Sequence, residues 1–103
     1  MKTYRVNVTK TAKKDMEKIY RYLNDLSPAA AKKWLLNALS VIQNLKTMPN
    51  RGASVEKYEN IKNVFFKLNP GGIVYRVIYK IDEENNSIYI LTVLNGKRSM
   101  EGI

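Results

Sequence analysis

Three basic residues stand where chemistry on an anion could be done: Arg76, Arg98 and Lys67. Arg76 lies in the middle of residues 73–81, an unbroken β-branched and aromatic run that reads as a central strand. Alternation puts Ile73, Tyr75, Val77, Tyr79 and Ile81 on one face and Val74, Arg76, Ile78 and Lys80 on the other. The first set is wholly apolar or aromatic and predicts the buried side, so Arg76 faces outward between apolar neighbours. A guanidinium fork on a rigid strand suits a two-point grip on a phosphate or carboxylate. The structural alternative is a cross-strand ion pair with Asp82 or a glutamate of the next turn. Lys67 is the only charge in residues 64–68, and it either joins the site or guards an edge strand from aggregation. Arg98 closes Gly96-Lys97-Arg98, where the glycine frees the backbone to re-aim the basic pair, unless the tripeptide is merely a solvated chain end.

The composition narrows the chemistry. With no histidine and no cysteine in 103 residues, the commonest general base, the commonest zinc ligand, disulfides and thiolate metal sites are excluded. Neither a cofactor nor a metal is expected. Any catalysis has to run on Lys, Arg, Tyr, Asp or Glu. A net charge of +9 and a pI near 9.8 favour polyanionic partners, nucleic acid or an acidic protein segment. The charge is uneven: residues 1–60 hold 12 Lys/Arg against 5 Asp/Glu, so the basic excess sits mainly in the first half. An apolar content of 45% fits one folded domain spanning 1–103. No run approaches the roughly 20 apolar residues of a membrane span. The first residues carry no apolar leader block, so a cytoplasmic protein without a membrane partner is expected.

The elements that must position these residues follow from periodicity. Tyr4, Val6 and Val8 alternate with polar residues, predicting a short strand. Thr9 or Thr11 can cap a helix whose apolar seam is Ala12, Met16, Ile19, Leu23 and Leu26; Lys10, Lys14, Lys18 and Arg21 take another face. Ser27-Pro28 restarts a helix with seam Ala31, Leu35, Ala38, Ile42 and Leu45, widened by Trp34 and Val41. Residues 48–52 stop it, and the polar stretch 50–60 reads as a loop. Strands follow at 64–68, 73–81 and 88–94, parted by Asn69-Pro70-Gly71-Gly72 and by an acidic turn at 82–87. The prediction is an α+β fold of order β-α-α-β-β-β: an antiparallel four-stranded sheet with the N-terminal helical hairpin packed on one face.

The strand Tyr75-Arg76-Val77-Ile78-Tyr79, the acidic turn, the strand 88–94 and the closing Gly96-Lys97-Arg98 resemble the RelE/ParE superfamily of type II toxin–antitoxin toxins. Upstream, Ala12-x-x-Asp15-Met16-x-x-Ile19, Ser27-Pro28-x-Ala30-Ala31 and Leu45-x-x-Met48-Pro49-x-x-Gly52 are similar to its helical half. The resemblance implies the RelE/ParE toxin fold and a basic toxin neutralised by an acidic, partly disordered antitoxin. Operator DNA would be met only through that complex. RelE-like members cut mRNA in the ribosome without metal, whereas ParE-like members, of the plasmid-stabilisation type, poison DNA gyrase. Carried over, Arg76 matches the phosphate-gripping arginine of the RelE-like central strand, Arg98 the arginine after the last strand, and Lys67 a strand lysine. These would be catalytic only in a nuclease. The departures matter: Ser99-Met100-Glu101-Gly102-Ile103 supplies no closing tyrosine, and Phe65 replaces the second strand lysine. The long helices and short tail favour a ParE-like growth inhibitor acting on gyrase. The alternatives are a metal-independent, ribosome-dependent endoribonuclease and a non-toxic binding module.

Overall fold

Single residues set both helices. In the computed structural model, which describes residues 2–55, 57–68 and 72–96, Thr9 starts α1 (Lys10–Leu26). Its hydroxyl accepts from the Ala12 N–H at 3.2 Å and donates to the Ile90 carbonyl at 2.7 Å, tying the cap to the sheet. Ser27 closes α1 by donating its N–H to the Leu23 carbonyl at 2.7 Å. Its hydroxyl accepts from the Ala30 N–H at 3.3 Å and so starts α2 (Pro28–Asn44). Pro28 fills the first helical position, where its missing N–H costs nothing. With one residue between them, the helices fold back against each other as predicted.

The strands β1 (Arg5–Val8), β2 (Ala53–Val55), β3 (Tyr58–Lys67), β4 (Val74–Asp82) and β5 (Ser87–Asn95) form one sheet in the order β1-β5-β4-β3-β2. The α+β class and the hairpin on one face are as expected, but the sheet is mixed and five-stranded rather than antiparallel and four-stranded. β1 pairs parallel to β5, from Arg5 opposite Ser87 to Val8 opposite Ile90. Thr9 extends this pairing, its N–H and its hydroxyl both donating to the Ile90 carbonyl. The fifth strand, β2, comes from the stretch expected to be loop, and it turns into β3 through Lys57 at φ 76°. Three residues at an open edge need no apolar alternation, and Ala53 and Ser54 are both exposed.

Trp34 is fully buried between the layers, 5.6 Å from the Tyr75 ring edge-on and 6.1 Å from Phe66. Around it close Ala31, Ala38, Ile42 and Leu45 from the second half of the hairpin and Val77, Tyr79, Ile81, Ile88 and Ile90 from the sheet. Two residues expected to face the core are exposed instead. Leu26 is 68% exposed because α1 ends there, and Ile73 is 48% exposed because it precedes the first residue of β4.

Candidate anion and partner site on the open sheet face

β4 positions Arg76. Its core-facing neighbours Tyr75 and Val77 are sealed under the helices, so alternation turns Arg76 to the opposite face of the sheet. Register places Phe65 of β3 directly on one side and Leu94 of β5 on the other. The guanidinium carbon lies 6.0 Å from the Phe65 ring centroid, a cation–π distance. Arg76 is half-buried with its Nε shut off from solvent, whereas Phe65 is 49% exposed. Ile78, Thr92 and Leu94, on the same face, are buried. The arginine therefore rises from an apolar floor beside an open aromatic ring.

Lys67 pairs with Val74, on the same face and diagonal to Arg76, a relation that spans roughly 7–8 Å in an antiparallel pair. Its side is exposed. The structure thus brings Arg76 and Lys67 to one face, while Arg98 lies outside the described residues. Where the last strand ends, the Gly96 N–H donates to the Val74 carbonyl at 2.6 Å. A Cβ on Gly96 would sit 2.8 Å from that same oxygen, so the close approach requires glycine.

Two carboxylates of the acidic turn have partners of their own. The Asp82 carboxylate accepts from the Asn85 backbone and side chain, and these bonds, the side-chain one foremost, hold it below the usual aspartate range. Glu83 accepts from the Tyr4 hydroxyl at 2.6 Å and lies 3.5 Å from the Lys2 ammonium. Every resolved shift leads away from neutrality. The Tyr4 phenol is raised first by its bond to Glu83 and then by burial. Lys2 is raised by Tyr4, and Tyr75 and Tyr79 chiefly by burial. None of these groups is poised as a general base near pH 7. Among the described residues no three carboxylates gather as a metal ion would need.

Three features have roles that the sequence reading did not assign. Asp15, mid-helix in α1, turns inward: its carboxylate accepts from the Thr92 hydroxyl and from the Val93 N–H at 3.3 Å. β1 stops at Val8, and a register shift falls between Ile78 and Tyr79, so this carboxylate satisfies an edge of β5 that β1 does not reach. Tyr79 pins the loop after α2, donating to the Pro49 carbonyl at 2.7 Å and accepting from the Gly52 N–H at 3.0 Å. Between the helices lies an apolar trough of about 410 Å³, lined by Val8, Met16, Tyr20, Leu35 and Leu39, with Lys13 and Glu17 also bordering it.

Comparison with known proteins gives one family. The model of the ParE toxin of the type II toxin–antitoxin system parDE matches residues 6–100. The fold is similar to the chromosomal ParDE system from P. aeruginosa, at 18% identity and a TM-score of 0.71 over 90% of this chain and 96% of that one. It is also similar to an arginine-to-alanine double mutant of the E. coli toxin RelE in the free state (12%, TM-score 0.65, 92% and 85%). A third similar structure is the toxin–antitoxin complex RelBE2 from Mycobacterium tuberculosis (25%, TM-score 0.58, 90% and 98%). No curated protein sequence matches.

Proposed function

We propose, from the premise that this chain belongs to the ParE toxin family of type II toxin–antitoxin systems, that it inhibits growth by binding DNA gyrase. The fold does not separate the two activities, since both a ParDE and a RelE structure resemble it. The observation that carries the reading is the Arg76–Phe65 pair. A half-buried arginine beside an open aromatic ring is the pattern of a protein-interface anchor. Proton transfer, by contrast, calls for a titrating group near neutrality, and the resolved shifts supply none. On this reading the protein is a cytoplasmic binding inhibitor of the plasmid-stabilisation type.

The antitoxin would be an acidic segment covering the Arg76 face, the helical trough or both, as an added helix or strand. The nine excess positive charges would steer that encounter, so its on-rate should fall as salt rises. Operator DNA would be reached through the complex. A second reading rests on one specific feature: Arg76, Lys67 and the exposed Phe65 share a face. Cations beside a stacking ring suit single-stranded RNA, and with Arg98 they would make a metal-independent endoribonuclease. Supercoiling by purified gyrase, run beside an mRNA integrity assay after induction, separates the readings. Lost supercoiling with intact transcripts is expected. Cleavage at ribosome-bound codons would replace the gyrase reading with the nuclease, and normal growth on induction would leave the non-toxic binding module.

A further inference from the structure

We propose that the outward face of α1 is a docking strip for the phosphate backbone of a nucleic-acid duplex, separate from the Arg76 face and independent of which cellular target is right. Lys10, Lys14, Lys18 and Arg21 are all exposed. At about 100° per residue the four fall within about 80° of arc around the helix. The buried Ala12, Met16 and Leu23 lie on the far side of that helix. Successive lysines step along the axis by about 6 Å, one helical turn, a separation comparable with that of neighbouring phosphates on a strand. Helix and sheet layers stand between this strip and Arg76 in a molecule 27 Å across at its narrowest, so one bound group does not reach both.

The strip is electrostatically costly for the helix that bears it. Lys10–Lys14 and Lys14–Lys18 are like-charge pairs four residues apart. The first turn of α1 holds no acidic residue, though the helix dipole favours anions there. The carboxylates of α1 do little to offset this. Asp15 is turned in to Thr92 and Val93, Glu17 pairs with Arg21, and Asp25 lies beyond the lysines near the helix end. Among the described residues no carboxylate forms an ion pair with Lys10, Lys14 or Lys18, the core of the line. An external polyanion would complete what the chain leaves open.

The chemistry favours a nucleic acid over an acidic protein. No apolar or aromatic side chain interrupts the arc from Lys10 to Lys18, and a protein interface needs an apolar centre. A phosphate backbone needs only spaced cations. The apolar trough, where a protein helix would sit, opens on the flank of α1 marked by Met16 and Tyr20 instead.

The test is fluorescence-anisotropy titration of 20-base-pair DNA and RNA duplexes of unrelated sequence over a salt series. Three proteins are compared: wild type, K10Q/K14Q/K18Q, and the charge-matched control K32Q/K46Q/K57Q, whose lysines are exposed elsewhere. Three phosphate contacts give a log–log salt slope of about −3, so the strip variant should lose about that much slope and at least tenfold in affinity at low salt. The control should keep both. Circular dichroism melting shows whether each variant is folded, and the strip variant should melt no lower than wild type because like-charge pairs are gone. DNA and RNA duplexes bound alike would leave the shared backbone as the ligand, and a preference for one would name its source. Equal losses in strip and control, wild-type binding no weaker in high salt, or polyglutamate bound as tightly as duplex would overturn the proposal.

Discussion

The two faces of β4 differ in what each can lose. On the helix side Tyr75, Val77, Tyr79 and Ile81 are shut in by α1 and α2, with Trp34 between them. On the other side Val74, Arg76, Ile78 and Lys80 alternate with them on the same strand; Ile78 is buried, and the other three remain open to varying degree. The first face holds the sheet to the hairpin, so its side chains are fixed by packing against many neighbours. The second inherits that rigidity without contributing much to it. Arg76 is therefore displayed on a stiff element, which reduces the ordering cost of any partner contact. A substitution on one face should cost stability, and on the other, recognition.

The sharpest way to break this contrast is to empty the helix side. Trp34→Ala removes the side chain shared by Phe66 and Tyr75 and should cost about 3–5 kcal/mol in urea unfolding. Trp34→Phe should cost far less than Trp34→Ala, because the buried indole N–H has no hydrogen-bond partner to lose. Arg76→Ala is the counterpart on the open side. It should move the unfolding midpoint little, yet weaken binding of the antitoxin or target by about 2 kcal/mol or more, read by calorimetry. A large loss of stability with unchanged binding would erase the distinction between the faces.

The next effect in size is a titration. Tyr79 is fully buried, and burial chiefly raises its phenol pKa above the ordinary value of 10.0, against the opposing Gly52 bond. In the unfolded chain the phenol ionises near that ordinary value while the folded protein keeps it neutral. Its stabilising contribution is thus complete below about pH 10 and lost as pH rises toward the folded value. Tyr79→Phe removes the two bonds that hold Pro49 and Gly52, costing roughly 1–2 kcal/mol at neutral pH. The variant should also show a shallower decline above about pH 10 than wild type, since every other group titrates in both.

How far the sequence revealed these faces depended on burial. Both helices were legible, because Thr9 or Thr11 and Ser27-Pro28 are caps with a mechanism and the seams behind them repeat every three or four positions, although α2 ends at Asn44, ahead of the stop expected at 48–52. The outward direction of Arg76 was legible for the same reason: alternation in β4 is strict where the core demands it. β2 was not, since an exposed edge of three residues needs no pattern. Neither was the parallel pairing of β1, which depends on which edge the Thr9 cap reaches. Phe65 becomes the neighbour of Arg76 only through register, and no single strand carries its partner's register. Asp15 resembles any polar helix position until the shortfall of β1 beside β5 is known.

The smallest effect belongs to the turn between β4 and β5, which belongs to neither face. Asp82 holds it through Asn85, and those hydrogen bonds, led by the Asn85 side chain, lower the carboxyl pKa below 3.8. A depressed pKa means the contribution is present above the unfolded value and fades as pH falls through the folded one. Asp82→Asn should therefore flatten the acid limb of the stability profile below about pH 4 at a correspondingly small loss of neutral stability, because solvent screens the carboxylate. Its outcome also bears on Arg76. If Asp82→Asn weakened partner binding as Arg76→Ala does, the turn would be part of the recognition face. If only the acid limb moves, recognition stays confined to the strand surface around Arg76 and Phe65.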